Sequence, residues 1–239
     1  MDIQYRKMLS VVVPCYNESG NLPLLLENFA TAIKRDDIEV IIVNNGSSDA
    51  TQEVLDRLIP KYPFARTVRI AVNQGYGFGI IYGLRSARGI FFSWTHADMQ
   101  TDPSDVTRAL EIMERSPCPE KTFVKGNRKG RTFVDNIFTF GMGAFETVYL
   151  GVLLHDINAQ PNLFHHSFFK SWIDPPYDFS LDLYAFYMAR KYNLKVIRFP
   201  VSFSKRLHGH SHWNISWKSR CWFIMKTLAF SFKLKKRLV

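Results

Sequence analysis

The sequence predicts an α/β protein built on a doubly wound, mostly parallel sheet with helices on both faces. Three observations lead there. Apolar, β-rich runs alternate with helically spaced apolar residues through the N-terminal half. The run Met8–Val13 is apolar on both faces, as in a buried parallel strand. Each run halts at a polar loop that opens into a helical pattern, which gathers the loops along one edge of the sheet.

The first strand, Met8–Val13, ends at Pro14-Cys15-Tyr16-Asn17-Glu18-Ser19-Gly20-Asn21. Asn21 before Leu22-Pro23 has the form of a helix N-cap, and Leu22, Leu25, Leu26, Phe29 and Ile33 then recur at helical spacing. The second strand, Ile38–Val43, closes at Asn44-Asn45-Gly46-Ser47-Ser48-Asp49, with a helix from Ala50 to Leu58. A third strand is expected from Thr67 to Val72, followed by a glycine-rich turn and a helix to about Ala87. Gly75, Gly77 and Gly79 lack the spacing of a dinucleotide fingerprint. They suit close packing of a helix start against a bound nucleotide or a neighbouring strand.

The fourth strand, Ile90 to Trp94, stops at Thr95-His96-Ala97-Asp98-Met99-Gln100, and Asp102-Pro103-Ser104-Asp105 opens the next helix. Open α/β sheets bind ligands beyond the carboxyl ends of their strands. Asp98 and Gln100 stand two residues apart at such an end, so an extended chain would point both side chains the same way. A carboxylate and an amide oxygen together suit a hard cation, Mg²⁺ or Mn²⁺. An Asp-capped strand-to-helix turn accounts for the same residues without a metal.

Composition narrows the partners. The chain of 239 residues is 46% hydrophobic and 22% charged, which excludes wholesale disorder. Its formal net charge of +10 favours an anionic partner: a nucleic acid, a phosphorylated small molecule or an acidic membrane. The aromatic residues follow core periodicity, so nucleic acid is not expected. Cys15, Cys118 and Cys221 are isolated and odd in number, which fits a reduced, cytoplasmic setting. Neither a secretory signal nor a spanning apolar run is expected.

Three stretches in this order carry a resemblance: Val11-Val12-Val13-Pro14-Cys15-Tyr16-Asn17-Glu18, Ile41-Ile42-Val43-Asn44-Asn45-Gly46-Ser47-Ser48-Asp49, and His96-Ala97-Asp98-Met99-Gln100. Together they resemble the family 2 glycosyltransferases of GT-A (Rossmann-like) fold, most closely the dolichyl/polyprenyl-phosphate sugar transferases. Each motif is modestly specific alone; the ordered set is strong, and the resemblance spans roughly residues 8 to 212. It implies a nucleotide-diphosphate sugar donor and a divalent metal. Pro14, Tyr16 and Glu18 match the family's first nucleotide-contacting loop. Asn45 stands where the family usually has a base-contacting Asp, and His96 replaces the first Asp of Asp-Ala-Asp. Asp98 and Gln100 match the pair that holds the metal.

On the acceptor side, Val124-Lys125-Gly126-Asn127-Arg128 resembles the family's Gly-Ser-Arg strand end, making Arg128 a phosphate-binding candidate with Lys129 and Arg131 nearby. The helix from about Phe133 to Leu154, rich in Phe, Gly, Met and Leu, is either core or a lipid-facing wall, and core is the expectation. Asp156-Ile157-Asn158 enters a segment in which the relatives carry a Cys-Gly pair. Tyr177-Asp178-Phe179-Ser180-Leu181-Asp182 places Asp182 in the family's carboxylate position, either complementing a helix dipole or serving the acceptor as a base. His165 and His166 read as ordinary polar residues. After a strand at Val196–Val201, Arg206 and Ser211 match the loop that covers the donor diphosphate, with His212 in place of Lys. Donor affinity would then weaken as pH rises through the imidazole's titration.

Residues 1–212 are thus expected to form the transferase domain and 213–239 an amphipathic basic C-terminal helix, whose Trp and Lys/Arg content suits an anionic membrane surface. The expected activity is inverting, metal-dependent transfer of a sugar to a polyprenyl phosphate in cell-surface glycan or glycolipid synthesis, at the cytoplasmic face of the membrane. A transferase acting on a sugar hydroxyl of a growing polysaccharide, and a degenerate non-catalytic homologue, remain as alternatives.

Overall fold

The computed structural model describes residues 7–130, 133–204 and 217–236, with the side chains of 133–138 and 217–223 outside that description. A seven-stranded sheet runs through the molecule in the order β3-β2-β1-β4-β6-β5-β7. Its strands are β1 (Lys7–Cys15), β2 (Ile38–Asn45), β3 (Ala65–Ile70), β4 (Gly89–Trp94), β5 (Thr122–Lys129), β6 (Asn162–His165) and β7 (Lys195–Ser202). Six point the same way; β6 alone runs antiparallel to its neighbours β4 and β5.

The alternation of side chains along β1 builds two cores. Leu9, Val11, Val13 and Cys15 turn to the face covered by α1 (Leu22–Ala32), α2 (Thr51–Leu58) and α4 (Ser104–Glu114). Val12 turns to the opposite face, under α3 (Tyr76–Ser86), the short α6 (His166–Lys170) and α7 (Leu181–Lys191). On that second face Phe123 stacks on Phe164 with ring centroids 5.7 Å apart, and Phe186 stacks on Phe123 at 6.4 Å. Full burial of such a ring stabilises by ~1.5–3 kcal/mol, so this aromatic layer fixes β5, β6 and α7 as one unit.

Three differences from the sequence expectations have physical causes. β3 begins and ends two residues early, because its ladder with β2 runs from Val40↔Ala65 to Asn45↔Ile70 and β2 has no residue left to pair beyond. β6 was not expected; four residues are too few to show a period, and only its pairing with β4 and β5 makes it a strand. The helix expected in the core, α5 (Phe133–Leu150), is shorter and lies at the surface: Phe140 is 70% and Val148 85% exposed. α8 (Trp217–Lys236) packs beside it.

Candidate functional site

The carboxyl ends of β1, β2, β4, β5 and β7, and the start of β6, meet along one edge. After β4 the chain remains tied to β1 by the Thr95 N–H donating to the Val12 carbonyl at 3.1 Å. The Thr95 and Thr101 hydroxyls, 3.0 Å apart, then close the loop on itself. Between them Met99 sits at φ +61°, in the left-handed region. The chain is therefore not extended here, which corrects the expectation that strand alternation aligns Asp98 with Gln100. A turn joins the two residues instead: Asp98 Oδ1 accepts the Gln100 backbone N–H at 3.1 Å. Asp98 is 6% exposed. Gln100 is latched to the chain leaving β7, accepting from the Ser204 N–H at 3.0 Å and donating Nε2 to the Ser204 carbonyl at 3.2 Å. That use of the amide nitrogen leaves Oε1 as the ligand atom Gln100 can contribute.

The loops after β1 and β2 are cross-linked. Asn17, at φ +57°, accepts from the Ser48 and Asp49 N–H groups at 2.9 and 3.3 Å. The Glu18 N–H donates to Thr51 Oγ1 at 3.0 Å, and Asn21 Nδ2 donates to Glu18 Oε2 at 2.5 Å. Asn21 thus sits before α1 without a side-chain cap. Burial works against the Asp49 carboxylate, but hydrogen bonds from Thr51 and Ser19 hold it below its ordinary pKa. Tyr16 stands 39% exposed at the rim, and Pro14 lies beneath Gly79. Asn45 is 4% exposed and its amide holds the glycine-rich loop: Nδ2 donates to the Gly75 carbonyl at 2.9 Å and to Asn73 Oδ1 at 3.3 Å. In this arrangement Asn45 anchors a loop, and that is where its donor capacity goes.

The glycines of that loop meet protein. A Cβ on Gly77 would stand 2.5 Å from the Pro176 carbonyl oxygen and one on Gly75 2.6 Å from that of Tyr177. The Phe78 N–H donates to the same Tyr177 carbonyl at 3.0 Å. Only glycine lets the start of α3 approach the 176–178 backbone this closely.

Asp182, in the first turn of α7, is the hub beneath the edge. It is 2% exposed, and its Oδ1 accepts from Trp94 Nε1 at 3.1 Å, Gln160 Nε2 at 2.8 Å and Asn162 Nδ2 at 3.2 Å. Tyr76 adjoins it: burial first, then the Asp182 charge, pushes the Tyr76 phenol up, with Asp98 adding to the effect. Tyr76 stacks on Phe179 at 4.7 Å and lies 5.8 Å from the His96 ring. This tyrosine therefore bridges the Asp98 turn and the Asp182 hub.

Behind the hub lies Lys125, wholly buried on β5. Its Nζ donates to the Ala159 carbonyl and to Asn162 Oδ1, both at 2.7 Å, and burial lowers its pKa from 10.5 to about 7. Arg128 also turns inward. Its Nε donates to Asp156 Oδ1 at 2.8 Å, Nη2 donates to the same oxygen, and the backbone N–H donates to Oδ2 at 2.8 Å. Two of its three guanidinium nitrogens thus serve an internal ion pair, and its side chain is only 10% exposed. The phosphate-binding expectation for Arg128 is correspondingly narrowed to its remaining nitrogen. Arg128, then Lys125, offset the burial penalty on Asp156 and hold that carboxyl below its usual range.

Sequence reading singled out Asp182 and Arg128 but missed the residues that hold them: Trp94, Lys125, Asp156, Gln160 and Asn162. One signal was available. A lysine inside the apolar strand run Phe123-Val124-Lys125 must find partners if buried. Arg131, Arg206, Ser211 and His212 lie outside the described residues.

Among the described residues no three His, Cys, Asp or Glu side chains converge as a cage. The oxygen pair of Asp98 and Gln100 nevertheless fits Mg²⁺ or Mn²⁺, which take one or two protein oxygens and complete their shells with phosphate and water.

The sequence model described as Glycosyl transferase family 2 matches residues 10–170. A dolichyl-phosphate beta-glucosyltransferase of Dictyostelium discoideum is 25% identical over 224 residues, covering 82% of this chain and 66% of that protein. An undecaprenyl-phosphate 4-deoxy-4-formamido-L-arabinose transferase of Photorhabdus laumondii is 34% identical over 119 residues, 48% of this chain and 36% of that one. The chain thus spans two thirds or less of the length of these curated relatives. Among solved structures, glucosyl-3-phosphoglycerate synthase of Mycobacterium tuberculosis, crystallised with Mn²⁺, UDP and glucosyl-3-phosphoglycerate, superposes with a TM-score of 0.72. It covers 96% of this chain and 81% of the other at 16% identity, and so speaks to the fold alone.

Proposed function

Because the chain belongs to glycosyl transferase family 2, we propose that it moves a sugar from a nucleotide-diphosphate sugar to a polyprenyl phosphate. The relatives named for dolichyl and undecaprenyl phosphate support this acceptor class. The observation that carries the reading is the turn after β4. It holds the nearly buried Asp98 beside Gln100 at the edge where the cross-linked β1 and β2 loops end.

The donor nucleotide lies along Pro14, Tyr16 and Glu18, with His96 and Asp98 toward its ribose and diphosphate. Asp98 and Gln100 Oε1 would hold the divalent cation, and the family resemblance assigns Arg206, Ser211 and His212 to the diphosphate. When bound, the cation stabilises negative charge on the diphosphate. Attack by the acceptor on the anomeric carbon from the opposite side inverts its configuration.

The choice of acceptor turns on Asp182. Asp182 is 2% exposed and its Oδ1 is already occupied by three N–H donors, so the carboxylate is poorly placed to reach a substrate hydroxyl. A sugar hydroxyl must lose a proton to a base during attack, whereas a phosphate oxygen is already anionic. The packing of Asp182 therefore supports the phosphate acceptor, with Asp182 positioning Tyr76, Gln160 and Asn162 and no proton transferred. Arg131, Lys129 and the free nitrogen of Arg128 would orient the acceptor phosphate.

A panel of nucleotide sugars with Mn²⁺, tested against a short-chain polyprenyl phosphate and against oligosaccharides, decides between the readings. Transfer to the prenyl phosphate is expected. Transfer to oligosaccharide alone would move the protein to the hydroxyl reading, and no turnover with any donor would make it a non-catalytic homologue.

A further inference from the structure

α5 is amphipathic in the inverted sense. Its described outward residues are Phe140, Gly141, Ala144, Phe145 and Val148. At about 100° per residue they fill one arc of about 140° with no polar side chain. The inward side carries Gly143 and Glu146, both buried, with Thr147 beside them. Glu146 is enclosed against α8, where its Oε1 accepts from the Ser231 hydroxyl at 2.7 Å. Beyond the helix, Leu153 continues the apolar surface at 65% exposure. A helix that hides its carboxylate and shows its phenylalanines to water implies an apolar cover.

α8 shows what kind. It lies alongside, with Phe232 against the Tyr149 ring at 5.0 Å and Lys235 Nζ donating to the Tyr149 carbonyl at 2.7 Å. Its sequence, WKSRCWFIMKTLAFSFKLKK, holds six lysines and arginines and no acid. Lys226, Lys233, Lys235 and Lys236 are exposed, as are Met225 and Phe232. Apolar side chains flanked by exposed cations complement a surface of anionic headgroups over hydrocarbon. A second copy of the chain is disfavoured as occupant, since two-fold pairing through α5 would bring two cationic α8 helices together. Neither helix is long and apolar enough to cross a membrane, so insertion stops at the interface.

We propose that the paired α5 and α8 form one docking face for an anionic bilayer, with Phe140, Phe145 and Val148 of α5 entering the acyl boundary and the α8 lysines meeting the headgroups. This rests on the polyprenyl-phosphate reading, for which it supplies the approach. α5 leaves the sheet edge directly after Arg128 and Lys129, so docking brings the proposed acceptor site to the headgroup layer.

Flotation with vesicles of phosphatidylcholine alone, or with about a third phosphatidylglycerol, tests the face on the full chain. Binding is expected to the anionic vesicles and to weaken with salt. Val148→Asp, at a position 85% exposed, is expected to lower the bound fraction at least tenfold with an unchanged thermal midpoint. Phe140→Ser provides a second variant without added charge, and Lys233→Glu with Lys236→Glu should abolish the preference for anionic lipid. Absence of wild-type binding, or equal binding by Val148→Asp and Phe140→Ser, overturns the proposal. So does a wild-type dimer in light scattering that Val148→Asp makes monomeric, which assigns the face to a second copy. Transfer to a short-chain prenyl phosphate in detergent is measured in parallel. Its retention in Val148→Asp separates docking from chemistry, and its absence in a wild type that still floats would fail the functional reading and leave the docking face standing.

Discussion

Lys125→Met separates two costs that the native protein carries together. The folded lysine has a pKa of about 7 against an ordinary 10.5. At about pH 7 the unfolded lysine is fully charged and the folded one about half charged, so burying this group costs ~4 kcal/mol; by about pH 9 the cost falls to ~2 kcal/mol. Methionine removes that cost but leaves the Ala159 carbonyl and Asn162 Oδ1 without their donor, at ~1–3 kcal/mol each. The two nearly cancel at neutral pH, so a single measurement there decides nothing. The slope decides. A folded pKa below the unfolded one means the unfolded chain binds more protons between about pH 7 and 10.5, so native stability rises with pH across that window. The methionine variant lacks this gain, and its stability relative to wild type should fall by ~2 kcal/mol between about pH 7 and 9. Urea denaturation at each pH, read as the difference between the two proteins, cancels the other titrating groups. A difference constant to within ~0.5 kcal/mol would show that Lys125 keeps its proton inside the fold throughout this range, and would refute the lowered pKa that its burial implies.

Three further outcomes follow from the site. Asp98→Asn should weaken Mn²⁺-dependent retention of a nucleoside diphosphate at least tenfold in equilibrium dialysis; unaltered retention would dissociate the β4 turn from the metal. Asp156→Ala strands the buried guanidinium of Arg128, and with it Arg198, whose group lies 3.7 Å from the same carboxylate. Removing one partner of such a buried pair costs ~3–5 kcal/mol, and a loss below ~1 kcal/mol on chemical denaturation would mean the arginines reach solvent. Gly77→Ala places a methyl 2.5 Å from the Pro176 carbonyl oxygen. Overpacking of this kind costs ~1–3 kcal/mol, so a lowered thermal midpoint with faster cleavage in the 174–178 loop is expected, and a native midpoint would refute the close approach.

By itself the sequence determined the strand and helix alternation on the β1-to-α4 side, because two-sided apolar runs and capped helical patterns are local signals. It also determined the family, through three ordered loop motifs that end on Asp98 and Gln100. What it could not contain was anything resting on pairing across the chain. β6 is four residues long and exists only because β4 and β5 flank it. The hub around Asp182 joins Trp94, Gln160 and Asn162, from positions 20 to 88 residues distant in sequence. The inward turn of Arg128 follows from Asp156, which sequence reading left without a role. The exposure of α5 was hidden for the same reason: Phe, Met and Leu on a helix look alike whether they face a core or a membrane, and only the burial of Glu146 against Ser231 shows which side is which. Local periodicity sets which elements form. The partner each buried charge finds is set by which elements the tertiary fold brings together, because a charge removed from water is stable only where another group meets it.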